Sequence, residues 1–240
     1  VAIRVQFPGP EDRTVVCGIT GSGKTTAAMW HLSGKDFDAQ PWLGINFKGD
    51  ALMNEVAALH GVKTIDLDDM PGEKGLYFVN PLPHDGERLD ALLGRIWERG
   101  NCGIFVDEVY RIKVIQWFEA CMVQGRSKRI PMIICTQRPA RMPLFVFSEA
   151  QYAQIFNLTK KADRIRIEDD FPGISRDYHL APYHSYWYNV ASREVVEFKP
   201  VPNNATIIST FRAKFPPEHA LGGEPQEAPT VLKAPRRRVV

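Results

Sequence analysis

Gly18, Ile19, Thr20, Gly21, Ser22, Gly23, Lys24 and Thr25 follow one another in the order G-x-x-x-x-G-K-T, and Thr26 comes next. Glycines at these three positions let the backbone curl until successive N–H groups face one point, where they can cradle phosphate oxygens. Lys24 is long enough to reach β- and γ-phosphates, and the Thr25 hydroxyl is a hard oxygen ligand suited to Mg²⁺. A helix beginning near Thr25 would aim the positive end of its dipole at the same anion. A chance glycine-rich loop would not need the apolar "TVVC" before it or the helical pattern after it. The loop is therefore read as a site for a nucleoside triphosphate, with ATP and Mg²⁺ as the expected ligands.

A second signal lies in "CGIFVDEVYRI", residues 102–112, where an apolar run ends in two adjacent carboxylates, Asp107 and Glu108. An acid at the end of a buried strand is costly without a partner. Beside a phosphate loop the partner is a metal: Asp107 binds Mg²⁺ directly or through water, which compensates its charge. Glu108 points elsewhere and is expected to be free to orient the attacking water or take its proton. The plainer alternative is a solvated acidic turn.

These residues need a scaffold, and the pattern of the chain supplies one. "TVVCGI" (14–19), "WLGINF" (42–47), "CGIFV" (102–106), "IPMIIC" (130–135) and "AQIFNL" (153–158) read as short buried strands. Helices are predicted over about 25–33, 51–60 and 114–124. The clearest is "GERLDALLGRIWERG", where Leu89, Leu92, Leu93, Ile96 and Trp97 form one apolar stripe that Gly100 can terminate. Alternating strands and helices predict an α/β fold with a mainly parallel sheet flanked by helices. "HSYWYNV" and "EVVEF" (about 184–198) add a C-terminal hairpin. One ATPase domain is expected over residues 1–215, followed by a mobile or partner-ordered tail, 216–240, rich in Pro, Gly and Glu and ending "APRRRVV".

Composition narrows the class. The chain has 240 residues, 44% of them hydrophobic, with 30 basic and 28 acidic side chains and a net charge of +2. That length supports one substantial core, or at most two small ones. The charge balance neither demands nor excludes a nucleic-acid partner. Cys17, Cys102, Cys121 and Cys135 show no CxxC spacing and are expected to be buried, reduced thiols. No apolar run approaches the ~18 residues of a membrane span, and no signal peptide opens the chain, so an intracellular, soluble protein with no integral membrane segment is expected.

"GRSKRIPMIICTQRPARMP" (125–143) brings a strand to Thr136-Gln137-Arg138-Pro139 after the acid pair, which resembles the FtsK–HerA superfamily of DNA-pumping ATPases. "NFKGD" (46–50) resembles that superfamily's second-strand end, although Asn46 stands where an acid usually stands. "IFNLTKKADRIRI" (155–167) resembles its last-strand segment, so the likeness covers about residues 14–167. Size and the absence of accessory parts make the chain most similar to the genome-packaging ATPases of tailless, membrane-containing double-stranded DNA viruses.

The resemblance implies a RecA/ASCE-like P-loop NTPase that self-associates into a ring at a capsid vertex, working in the host cytoplasm or on the virion. It implies that Gln137 senses the γ-phosphate and that Arg126 reaches the neighbouring subunit's nucleotide, with Arg129 and Arg138 as alternates. DNA phosphates would be met by Lys48, Arg111, Lys113, Lys160 or Lys161, and the "PRRR" tail (235–238) could tether DNA or capsid. Tyr183, Tyr186, Trp187 and Tyr188 are expected in core packing or a subunit interface. Three other classes share the same residues in part. A P-loop kinase would need an acceptor pocket and a lid. A GTPase would need a guanine reader, and "TKKAD" (159–163) has its Asp one residue too far. A protein-secretion or assembly ATPase would differ only in its response to DNA.

Overall fold

Strand residues that are apolar on both faces can be satisfied only by helices on both sides of a sheet, and this is the arrangement found. The computed structural model describes residues 5–217. In chain order the elements are β1 (Arg13–Cys17), α1 (Lys24–Ser33), β2 (Trp42–Asn46), α2 (Ala51–Ala57), β3 (Lys63–Thr64), β4 (Leu76–Val79), α3 (Gly86–Arg99) and β5 (Gly103–Asp107). There follow α4 (Gln116–Gln124), β6 (Met132–Thr136), α5 (Phe145–Ser148), β7 (Tyr152–Ile155), α6 (Lys161–Asp170), β8 (Ser185–Asn189), β9 (Glu194–Phe198) and α7 (Asn204–Lys214).

The nine strands form one sheet in the order β3-β4-β2-β5-β6-β1-β7-β8-β9. β1 to β7 run parallel, and the β8–β9 hairpin is added antiparallel to β7. Side chains alternate between two cores. Val15, Ile45, Val106 and Ile134 face α3, α4 and α6, while Val16, Phe105, Ile133 and Cys135 face α1, α2 and α7. In the α3 stripe Leu89, Leu92, Leu93 and Ile96 are buried and Trp97 is half-buried, and Gly100, with φ 72°, ends the helix in a conformation other residues adopt only under strain.

Several boundaries differ from the sequence reading. The first strand stops at Cys17, because Gly18 and Ile19 already turn into the phosphate loop. The 155–167 stretch divides into the end of β7 and helix α6, where Asp163 in the first turn is buried. β3, β4 and α7 carry weak local signals and were not expected. The α7 helix buries only Ile207 and Phe211. Trp187 and Tyr188 pack in the core, Tyr186 is half-buried and Tyr183 is exposed. The four cysteines are buried free thiols. Among the described residues no helix is long and apolar enough to cross a membrane. Most of the proposed tail, including the "PRRR" tether, falls at 218–240, outside the described residues.

Candidate nucleotide site

Because β1, β2, β5, β6 and β7 are parallel neighbours or near-neighbours, their C-terminal ends lie along one edge of the sheet. Each delivers a short segment there: the glycine loop after β1, the 46–50 turn after β2, the acid pair at the end of β5, Gln137 after β6 and Phe156-Asn157 after β7. The edge is where an open α/β sheet binds ligands.

The glycine loop is built to leave room. Gly21 has φ 79° with no atom within 4 Å of where a Cβ would sit. At Gly18 a Cβ would fall 2.4 Å from the Ser22 Oγ and 2.8 Å from the Phe156 Cβ. Gly23, with φ 93°, caps α1, so the helix opens directly at Lys24. Ile19 and Ser22 to Thr26 are half-buried apart from Lys24, which is buried, and Thr20 and Gly21 are exposed.

Lys24 reaches the Glu108 Oε1 at 3.1 Å. Lys48 also binds Glu108, and the Gln137 side-chain amide donates to the same oxygen. Glu108 is therefore not free as its position in the sequence suggests: it is 0% exposed, surrounded by two ammonium groups and an amide, and its Oε2 has no partner. Its backbone lies in the left-handed region, φ 60°, which costs energy for a residue with a side chain. Burial alone would push the Glu108 carboxyl up, but the Lys48 bond, the Lys24 charge and the Gln137 bond together hold it below the usual range. Its neighbour goes the other way. Burial, opposed by Lys24 and reinforced by the Glu108 charge, raises the Asp107 carboxyl.

The Thr25 hydroxyl donates to the Asp107 Oδ1 at 3.2 Å, so the two oxygen groups expected to hold Mg²⁺ lie together. Oxygen donors in a pocket that raises the carboxyl fit a hard divalent cation. Among the described residues no group of three or more His, Cys, Asp or Glu could hold a metal by itself, so phosphate and water oxygens would complete the shell. Gln137 spans the site: the Thr20 hydroxyl donates to its Oε1 at 2.7 Å while its nitrogen bonds Glu108.

Two residues stand here that the sequence reading did not assign to this site. Lys48 stands among the expected DNA contacts, yet the turn brings its ammonium onto Glu108. Asn46 shapes that turn, accepting from the Asp50 N–H at 3.0 Å and donating to Asn54 at 3.0 Å. The second is Asn157, whose carbonyl accepts from the Ile19 N–H at 3.3 Å.

The arginines separate. Arg138 pairs with Asp163 at 3.0 Å, and Asp163 also accepts from the Ala140 N–H. Arg126 and Arg129 are exposed and precede β6, at the opposite end of the sheet from their own glycine loop. A five-residue strand makes that separation roughly 16 Å or more. Arg111, Lys113, Lys160 and Lys161 are exposed on the edge that carries the site. Arg111 and Lys113 line a pocket of about 260 Å³ with Phe47, Leu82 and Tyr110 beside the acid pair.

No protein-family profile matches the chain. The DNA packaging ATPase P9 of Enterobacteria phage PRD1 is 37% identical over 218 residues, covering 86% of this chain and 95% of that protein. Among solved structures, the genome packaging NTPase B204 of Sulfolobus turreted icosahedral virus 2 in complex with ATP-gammaS superposes with a TM-score of 0.66 at 19% identity, over 81% of this chain and 100% of B204. ATPases 2 and 3 of Thermomonospora curvata EccC, in complex with a signal sequence peptide, give a TM-score of 0.55 at 12% identity, over 86% of this chain and 43% of that one. At such identities the two structural likenesses speak for the fold.

Proposed function

The chain belongs to the family of viral DNA-packaging ATPases, and on that premise we propose that it hydrolyses ATP to drive double-stranded DNA into a capsid. The observation that carries the reading is the convergence of Lys24, Glu108 and Gln137 beside the Thr25–Asp107 pair. That cluster brings together a cation, a carboxylate and a polar amide of the kind phosphoryl transfer to water draws on.

The residues divide the work. Backbone N–H groups of Gly21 and of residues 23–26, at the start of α1, bind the phosphates, and Lys24 exchanges Glu108 for the β- and γ-phosphate oxygens. Mg²⁺ held by Thr25 and Asp107 would neutralise charge on those oxygens. Lys48 stays on Glu108 and fixes its carboxylate, which orients water and accepts its proton as oxygen attacks phosphorus and the bond to the β-phosphate bridge breaks. Gln137, already bonded to both Thr20 and Glu108, changes partners when the γ-phosphate departs. We assign that change as the signal passed to Arg138, Asp163 and α6.

A ring completes the scheme. Arg126 lies too far from its own glycine loop to serve it, and Arg138 is committed to Asp163, so a neighbour's Arg126, with Arg129 as alternate, would stabilise the transition-state charge. The exposed Arg111, Lys113, Lys160 and Lys161 would meet DNA phosphates without reading sequence. Such a motor works at a capsid in the host cell.

The test is ATP turnover at high protein concentration, with and without double-stranded DNA, in the native chain and in Lys24→Ala and Glu108→Gln. DNA-stimulated turnover lost in both variants is expected. Turnover indifferent to DNA would overturn the DNA motor in favour of a protein-moving ATPase.

A further inference from the structure

The geometry points to a nucleobase platform: we propose that Tyr183 stacks on the purine of the bound nucleotide. This rests on the phosphate site described above and adds to it the half of the ligand that site leaves unassigned.

The glycine loop has two flanks, set by strand order. On the β6 and β5 side stand Gln137 and Glu108, the groups that act at the γ-phosphate. On the β7 side stand Phe156, Asn157 and the segment 178–184, which precedes β8. A triphosphate lying along the loop with its γ end at Glu108 therefore carries its base toward the β7 side.

That side is held as a unit with the loop. The Asn157 carbonyl accepts from Ile19 at 3.3 Å, while its side-chain amide accepts from the Leu180 N–H at 2.9 Å and donates to the Leu180 carbonyl at 2.7 Å. The Tyr178 hydroxyl donates to the Phe156 carbonyl at 2.7 Å. A turn closed by His184 N–H on Ala181 at 3.0 Å then presents Tyr183.

Tyr183 differs from the aromatics that follow it. Trp187 and Tyr188 are buried, and Tyr186 packs against Tyr178. Tyr183 is 59% exposed, and a methyl built on Gly23 would lie 3.3 Å from its Cδ1, so the ring edges the residue that caps α1. Its φ of 62° is a strained conformation for an aromatic residue. Core packing does not explain a ring that is mostly in solvent. Strain of this kind persists where the surroundings enforce it, and it gathers at ligand clamps. An aromatic face beside a phosphate cradle offers stacking to any base, without hydrogen-bond readout.

The experiment compares equilibrium binding of Mg·ATP and of inorganic tripolyphosphate with Mg²⁺ to the full chain and to Tyr183→Ala, Tyr183→Phe and Tyr183→Gly. ATP affinity should fall about tenfold in Tyr183→Ala and Tyr183→Gly and hold in Tyr183→Phe, with tripolyphosphate affinity the same in all four. Glycine relaxes the backbone at this position, so Tyr183→Gly should lose ATP affinity with no fall in thermal midpoint, which a packing role would not permit. Unchanged ATP affinity in Tyr183→Ala, or an equal loss for tripolyphosphate, would overturn the stacking assignment. A native chain that binds neither ligand would overturn the phosphate site, and the platform with it.

Discussion

At the scale of single residues, the proposed mechanism sets Glu108 and the phosphates in competition for Lys24. A buried carboxylate with two lysines is stable while the site is empty of phosphate, and nucleotide must draw one lysine away. Glu108→Gln removes that competition. It should bind ATP about tenfold more tightly than the native chain and hydrolyse it at least about 100-fold more slowly, since the water loses its base. Equilibrium binding and single-turnover rates measure both, and weaker binding would refute the competition. Lys48→Met leaves Lys24 as the sole cation on Glu108. It should therefore weaken ATP binding, again read by titration, and an affinity equal to the native value would show that Lys48 does not share the carboxylate's charge.

Elements meet through contacts that local pattern does not announce. α1 is tied to β7 and β8 by His31, whose Nε2 donates to the Gln154 Oε1 at 2.7 Å, and Gln154 donates to the Ser185 hydroxyl at 2.8 Å. Burial pulls the His31 imidazole down to about 4, the Gln154 bond opposes this, and the Lys35 charge adds to it. A histidine depressed below its ordinary 6.5 contributes stability that is complete above that pH and is lost as pH falls toward the folded value. The thermal midpoint should therefore drop between about pH 6.5 and 4, and less steeply in His31→Gln. Parallel slopes in the two proteins would exclude His31 as the cause. β2 and β5 approach closely at Gly103, where an added Cβ would fall 2.2 Å from the buried Trp42 indole. Gly103→Ala should cost about 1–3 kcal/mol in denaturant unfolding, because the ring has no room to move. No loss would mean the indole can shift.

For the whole molecule, the sheet separates the candidate nucleotide site from the arginine proposed to act on a neighbour's nucleotide. The loop, the acids and Gln137 share one edge, while Arg126 lies at the other end. Lys24→Ala and Arg126→Ala should each be inactive alone, and mixing them should recover part of the turnover. A mixed interface can pair an intact glycine loop with an intact arginine. Silence in the mixture, with both variants folded, would place the arginine's role within its own subunit or nowhere. Turnover per chain should also rise with protein concentration, which dilution tests directly.

The candidate nucleotide site is legible in the chain because its residues are contiguous. Gly18 to Thr25 make one turn, Asp107 and Glu108 are adjacent, and the strand and helix around them have a local period. The parallel α/β class followed from the same alternation, and the resemblance around Thr136 to Pro139 identified the superfamily. The local pattern was too weak for α6, charged along most of its length, and for α7, with two buried residues. Tertiary structure alone decided that Lys48 meets Glu108 across 60 residues, that Thr20 meets Gln137 across 117, and that Asn157 ties the glycine loop to the segment carrying Tyr183. The reason lies in strand order. Each helical crossover returns a parallel strand to the same edge, but which strands become neighbours depends on how two faces of the sheet pack, and no short window of sequence contains both partners.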